Sequence, residues 1–163
     1  MKNKKLIIAC IIIIALTVAL GLNMRAQQTA NETKGGITLN VNGKTIAVSL
    51  DKLNQVAFEG ETVNGKGDRS THAYRGMELK KLLASNSVDV AKVTAVTASS
   101  ADQYTAELTG GEIRDDDRVY VVIELDGKPV DGIDEGTRGA QLIVFGDQNS
   151  RRNVRFLSVI EVK

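Results

Sequence analysis

The hydrophobic pattern of the chain starts with one long apolar run. Three lysines occur within the first five residues, and an apolar segment follows from Leu6 to Leu22. Lysines ahead of an apolar segment stay cytoplasmic, so the rest of the chain is expected on the outer side of the membrane. Residues 1–22 are therefore predicted to be a membrane anchor or a cleaved signal segment. We favour an uncleaved anchor, and lipidation at Cys10 is a third alternative.

Beyond this segment the pattern becomes polar and then alternating. Residues 23–36 are rich in Gln, Asn and Thr and are predicted to be a polar tether. Residues 37–163 are predicted to be a single extracytoplasmic domain, since that length is typical of one domain and can bury its own core. The chain is thus expected to be membrane-anchored with the domain extracytoplasmic, or secreted if the segment is cleaved.

Alternation of apolar and polar residues predicts several short strands in the domain. Residues 37–41 and 45–49 flank Asn42-Gly43, a dipeptide typical of two-residue hairpins. The nearly continuous apolar run Val119–Leu125 predicts a central strand that is buried on both faces. Further strands are predicted at residues 56–63, 71–74, 93–98, 104–108, 141–145 and 156–162.

One segment has a helical period instead. Met77–Ser85 is predicted to be a helix, because its leucines recur on one face. Its predicted buried side chains are Leu79, Leu82 and Leu83, and its predicted water-facing side chains are Glu78, Lys80 and Lys81. A turn or short helix is predicted at residues 50–54. Many short strands with one or two short helices predict an α+β domain with a mixed sheet or barrel-like core.

Composition narrows the chemistry that the domain can carry. The chain has 21 basic and 20 acidic residues and no tryptophan, which argues against nucleic acid as a partner. Cys10 is the only cysteine, so the domain is predicted to lack a disulfide, a thiolate metal ligand and a cysteine nucleophile. The sequence assigns no catalytic residue and no metal ligand.

Four segments of the domain carry short motifs in a consistent order. Residues 72–83 have an aromatic residue, a glycine and a pair of leucines at the start of the predicted helix. Residues 98–104 are similar to the motif Ala-Ser-Asp-Gly-Tyr, and residues 121–130 are similar to a hairpin with the motif Asn-Gly-x-Pro. Residues 141–162 are similar to the motif Arg-Leu-Val-Val-Pro-Gly and to the strand that follows it. Together they resemble the oxidoreductase molybdopterin-binding domain family. The resemblance implies a sulfite-oxidase-like fold and molybdopterin as the cofactor.

The chain departs from that family where its metal ligand would lie. Catalytic members carry a molybdenum-ligating cysteine upstream of the helix, whereas Val56–Val63 contains none. Gln141 and Phe145 replace the arginine and proline of Arg-Leu-Val-Val-Pro, while Arg155 keeps the family's basic residue and Phe156 stands for its tryptophan. The chain is interpreted as a short member of the family without the usual molybdenum ligation.

The candidate cofactor-binding residues are one histidine and four arginines. His72, the only histidine, lies beside a glycine-rich loop and suits a role as an acid–base group or ligand. Guanidinium groups bind phosphate and carboxylate in a bidentate manner. Basic residues of the final segment help to hold the pterin phosphate in the family, so the resemblance implies an anion pocket at Arg151, Arg152 and Arg155. Arg138 begins the same basic segment, and a solvated basic rim is the alternative for all four arginines.

Three functions follow from these observations. The first is an extracytoplasmic binding or interaction module for an anionic ligand or a pterin cofactor. The second is a molybdenum-cofactor-dependent oxidoreductase of the sulfite-oxidase type, and the third is a structural cell-envelope domain. The expected partners are the membrane, through the N-terminal segment, and an anionic small molecule or a membrane-bound redox protein. A fold by itself does not decide among them.

Overall fold

The computed structural model describes residues 36–163, which form ten strands, two α-helices and three short 3-10 helices. The predicted anchor lies outside these residues, as does the predicted tether apart from Gly36, which begins the first strand. Across residues 36–163 no helix combines the length and the apolar character needed to cross a membrane.

The first sheet joins the two ends of the described chain. Its strands, in spatial order, are β2 (Lys44–Ser49), β1 (Gly36–Val41), β10 (Leu157–Val162), β5 (Ala95–Ser100) and β6 (Thr105–Thr109). β1 and β10 are parallel and the other pairs are antiparallel, so the sheet is mixed. The predicted turn between β1 and β2 is confirmed, since Asn42 and Gly43 have φ angles of 49° and 75°.

The second sheet is antiparallel and is built around one buried strand. Its strands are β3 (Val56–Val63), β4 (Arg69–Glu78), β7 (Val119–Leu125), β8 (Lys128–Pro129) and β9 (Gln141–Val144). β7 pairs with β4 on one side and with β8 and β9 on the other. Its first four residues are buried, which confirms the predicted central strand.

Strand alternation gives the second sheet two apolar faces. Val119 and Val121 of β7 belong to the main core, which combines residues of both sheets with the first helix. Tyr120 and Val122 point the other way, into a smaller cluster with Tyr74 and other aromatic side chains. This second face of the sheet, called the outer face below, carries the candidate site.

The two helices are α1 (Leu79–Ser85) and α2 (Gly110–Arg114). α1 begins two residues later than predicted, because Met77 and Glu78 pair with β7 as the end of β4. Its predicted leucine face is confirmed, with all three leucines at most 1% exposed. α2 was not predicted. It contains two glycines, which are poor helix formers, and a capping box between Thr109 and Glu112 stabilises its start.

Glu78 corrects the prediction that this side chain faces water. It is 3% exposed, and its carboxylate accepts a hydrogen bond of 3.0 Å from the backbone N–H of Asp117. The ammonium groups of Lys80 and Lys81 lie 3.1 and 3.0 Å from its two oxygens. A buried carboxylate is tolerated here because these groups compensate its charge.

Gly76 allows β4 and β7 to approach closely. The pairing register shifts between Arg75 and Gly76, and a Cβ on Gly76 would lie 2.3 Å from the carbonyl oxygen of Val121. That oxygen belongs to the buried central strand, where close packing resists displacement.

We expect Gly76→Ala to lower the free energy of unfolding by about 1–3 kcal/mol, since the added methyl group forces the two strands apart. Urea denaturation monitored by circular dichroism measures the loss. Gly65→Ala is the matched control, because a Cβ there meets nothing within 4 Å. An equal loss in both variants would show that the close approach is not the cause.

Candidate functional site

Two adjoining recesses on the outer face form the cleft that we call the basic cleft. The larger has a volume of about 750 Å³ and the smaller one of about 280 Å³. Leu125, Gln141 and Arg155 line both recesses, so the two are continuous. Both volumes together are typical of a site for a small molecule.

The basic cleft brings together three of the five residues predicted to bind a cofactor. His72 lines the smaller recess, Arg138 lines the larger one, and Arg155 lines both. Lys128, in the short strand β8, adds a third cation to the larger recess, and Asp131 is the one acidic residue that lines it. Lys128 was not among the predicted binding residues, although it lies in the hairpin segment, residues 121–130, that the family resemblance includes.

Arg155 and Phe156 form the rim where the two recesses meet. The guanidinium carbon of Arg155 lies 5.3 Å from the centre of the Phe156 ring, a cation–π distance. Phe156 has a φ of 51°, a left-handed conformation that is rare for a bulky residue. Such conformations persist only where surrounding contacts hold them, and they concentrate at ligand sites.

Tyr74 forms part of the floor of the smaller recess. It is 5% exposed and stacks on Phe58, with ring centres 5.5 Å apart. Burial, together with the nearby carboxylate of Asp126, raises the pKa of Tyr74, so its hydroxyl is neutral at physiological pH. The floor therefore offers a ring edge and a neutral hydroxyl.

Asp126 holds His72 at the mouth of this recess. One oxygen of Asp126 lies 2.8 Å from His72 Nδ1, and the other accepts a hydrogen bond of 3.0 Å from the backbone N–H of Ala73. The hydrogen bond with His72 lowers the pKa of Asp126. The sequence identified Asp126 only as part of a turn, because its partner is 54 residues away.

Arg151 and Arg152 lie outside the lining of both recesses. Arg151 is exposed, and its backbone carbonyl accepts a hydrogen bond from the Tyr104 hydroxyl. The Nε and Nη2 atoms of Arg152 donate to Asp147 at 2.8 and 2.6 Å, and its Nη1 lies 2.7 Å from Glu112. The guanidinium of Arg152 is therefore occupied by two carboxylates of the domain itself.

Arg118 completes a four-residue charge network with these groups. Its Nη2 atom lies 3.0 Å from Asp147 and 3.6 Å from Glu112. Burial opposes the ionisation of Glu112, but hydrogen bonds from the Thr109 backbone and from Arg152 outweigh it and lower the pKa of Glu112 to about 2. The network ties α2 to the segment that follows β9, which continues to Arg155 at the cleft.

Comparisons with known proteins identify the fold. No protein-family model and no curated protein sequence matches the chain. The crystal structure of the sulfane dehydrogenase SoxCD from Paracoccus pantotrophus is similar, with a TM-score of 0.61, 14% sequence identity and 78% of this chain covered. The match covers 37% of the SoxCD chain, so this protein corresponds to little more than a third of it. At that identity the likeness shows the fold, and it confirms the predicted α+β, sulfite-oxidase-like class.

A molybdopterin cofactor has a metal centre and a phosphate group, and the side chains of the domain suit these two parts to different degrees. No cysteine occurs between residues 36 and 163, and within that range no group of three or more His, Asp or Glu residues could hold a metal ion. These residues therefore do not fit a thiolate-ligated molybdenum centre, and no step through the metal follows from them. Lys128, Arg138 and Arg155 in the basic cleft are residues of the type that would hold the phosphate of a pterin.

We expect Glu112→Gln to lower the free energy of unfolding at pH 7 by about 1–3 kcal/mol, because the two arginines lose a charged partner. The pKa of Glu112 falls from 4.5 to about 2 on folding, so its contribution is complete above pH 4.5 and is lost as the pH falls towards 2. The difference between wild type and variant should shrink over that interval. Urea titrations at several pH values measure it.

Glu107→Gln is the matched control for Glu112→Gln. Glu107 is exposed on β6 and makes no ion pair within the described residues. A loss of similar size in the control, or a difference that stays constant from pH 7 to pH 2, would contradict the role given to the network.

Proposed function

We propose that the domain is an extracytoplasmic binding module that takes an anionic ligand in the basic cleft. The observation that carries the proposal is the position of Lys128, Arg138 and Arg155 along one recess of about 750 Å³. Lys128 and Arg155 make no ion pair within the described residues, so their charges are free for a ligand. The extracytoplasmic location rests on the lysines and the apolar run at the start of the chain.

A phosphate or carboxylate group suits this recess best. Arg138 and Arg155 supply planar guanidinium groups that bind such anions through paired hydrogen bonds. Arg138 lies 3.6 Å from Asp51, and both side chains are largely exposed, so a ligand displaces little from this weak pair. Phe156 lines the same recess and offers apolar contact to a ligand, and the family resemblance makes a pterin phosphate the first candidate.

A second candidate is a molybdenum-cofactor-dependent oxidoreductase of the sulfite-oxidase type, which the fold likeness to a sulfane dehydrogenase favours. In that case the cofactor supplies oxygen-atom or electron transfer, and the basic cleft holds its phosphate. A third candidate is a structural cell-envelope domain. A cleft that is lined by unpaired cations argues against a purely structural role.

We expect phosphate to raise the thermal unfolding midpoint of the full-length chain above its value in chloride of equal ionic strength, since a ligand that binds only the folded state stabilises it. Arg138→Ala and Arg155→Ala should each weaken the apparent affinity for phosphate by about 10-fold or more, the loss expected for one charged hydrogen-bonding partner. Thermal scans over a phosphate titration measure both effects.

Arg69→Ala is the control for these variants, because Arg69 is an exposed arginine that lines neither recess. Arg151→Ala should also leave the phosphate affinity unchanged, although the sequence predicted a role for it. The absence of any shift in the wild type, or an equal loss in Arg69→Ala, would overturn the anion site.

Metal and pterin analysis separates the first two candidates. We expect the full-length chain, purified from a host that makes molybdopterin, to contain less than stoichiometric molybdenum, because the described residues offer no thiolate ligand. Elemental analysis measures the metal, and fluorescence of the oxidised pterin measures the organic part. Molybdenum and pterin at one per chain would establish the oxidoreductase class in place of a binding module.

A further inference from the structure

Three side chains beside the smaller recess form a chain of hydrogen bonds that anion binding does not require. The hydroxyl oxygen of Ser70 lies 3.0 Å from His72 Nε2. On the other side of the ring, His72 Nδ1 lies 2.8 Å from Asp126 Oδ2. The imidazole thus bridges a hydroxyl and a carboxylate through its two nitrogens.

The strand β4 and the turn after β7 position these three side chains. Ser70 and His72 are two residues apart on β4, so their side chains leave the same face of the strand. Asp126 follows β7 in a tight turn with a φ of 51°, and its backbone N–H donates to the carbonyl of Ala73 at 2.7 Å. The N–H of Ala73 donates to the second carboxylate oxygen at 3.0 Å, so two hydrogen bonds fix the carboxylate against β4.

We infer that Ser70, His72 and Asp126 form a Ser-His-Asp triad that hydrolyses small esters. Such triads are recognised by geometry and roles and recur on unrelated folds in different chain orders. In the neutral imidazole the Asp126 carboxylate accepts the Nδ1–H of His72, which leaves Nε2 as the acceptor that faces Ser70. All three side chains are exposed to solvent or partly so, which gives both an ester and water access to them.

The reaction balances with the ester and water as its only reactants. Ser70 Oγ attacks the ester carbonyl and its proton moves to His72 Nε2. The bond from the carbonyl carbon to the alcohol oxygen breaks, and the alcohol leaves with that proton. Water then attacks the acyl-serine, His72 takes one proton of the water and returns it to Ser70, and the free acid leaves. No electron is transferred.

The charge around the triad points to the class of ester. Arg155 lines the same small recess as His72, and the larger recess adds two more cations. A guanidinium in the recess favours a substrate whose acyl group is negatively charged. The substrate class is therefore a small ester whose acid part carries a second anionic group. This part of the inference rests on the proposed anion site, whereas the triad itself does not.

The experiment uses the full-length chain with two activated esters, 4-nitrophenyl acetate and the 4-nitrophenyl monoester of succinic acid. Intact-protein mass spectrometry measures acylation, and absorbance measures release of nitrophenol. We expect acylation at Ser70, abolished in Ser70→Ala, and a fall of about 100-fold or more in nitrophenol release in His72→Ala. Asp126→Asn should also lower the rate, because asparagine suits the same turn but no longer fixes the tautomer of His72.

Thr71→Ala is the matched control. Thr71 carries a neighbouring hydroxyl on the opposite face of β4 and should retain the wild-type rate. Thermal unfolding midpoints of all variants check that the fold is kept. No acylation of the wild type, acylation at another residue, or an unchanged rate in Ser70→Ala would overturn the triad.

Separate measurements test the anion site and the Ser-His-Asp triad, so either proposal can be overturned without the other. Ser70→Ala should leave phosphate affinity intact, because Ser70 lines neither recess. Arg155→Ala should slow reaction of the succinate monoester more than that of the acetate ester. Hydrolysis without this difference would keep the triad and remove the anionic substrate class, while phosphate binding without acylation would keep the anion site alone.

Discussion

The pairing of β4 with β7 is the constraint on which both the core and the candidate site depend. Gly76 lets the two strands approach closely at the point where their register shifts, and the pairing runs from Tyr74 to Glu78. At one end Glu78 is buried and leads directly into α1. On the other side of the shift Tyr74 pairs with Leu125, which brings the turn after β7 against β4, so that Asp126 reaches His72. A shift by one residue would move each of these side chains to the opposite face.

The arginines of the final segment show that residue type alone does not establish a ligand site. Arg152 and Arg155 are three residues apart, yet Arg152 is held by Asp147 and Glu112 while Arg155 lines the cleft. The partly buried charge of Arg152 is compensated by partners from α2 and from the segment after β9. An arginine without such partners remains free for an external anion. The distinction depends on tertiary contacts between residues far apart in the sequence.

The features that the sequence predicted correctly are those that local patterns determine. The Asn42-Gly43 hairpin, the central strand and the leucine face of α1 each follow from a turn preference or a periodicity within a few residues. The features it missed depend on distant partners. Burial of Glu78 depends on Asp117, and the role of Asp126 depends on a strand 54 residues earlier. Of the residues predicted to bind a cofactor, His72, Arg138 and Arg155 line the basic cleft, and their role as ligands stays a prediction. Lys128 was not predicted, although it lies in the hairpin segment that the family resemblance includes.

The rim of the basic cleft is held in place before any ligand arrives. Phe156 keeps a left-handed backbone because the flanking peptide groups are anchored: its carbonyl accepts from the N–H of Ala101, and the N–H of Leu157 donates to the carbonyl of Ala140. The charge network ties the segment just before it to α2. A ligand that meets a preformed rim loses little free energy to ordering of the site, so even a small, weakly binding anion can be held.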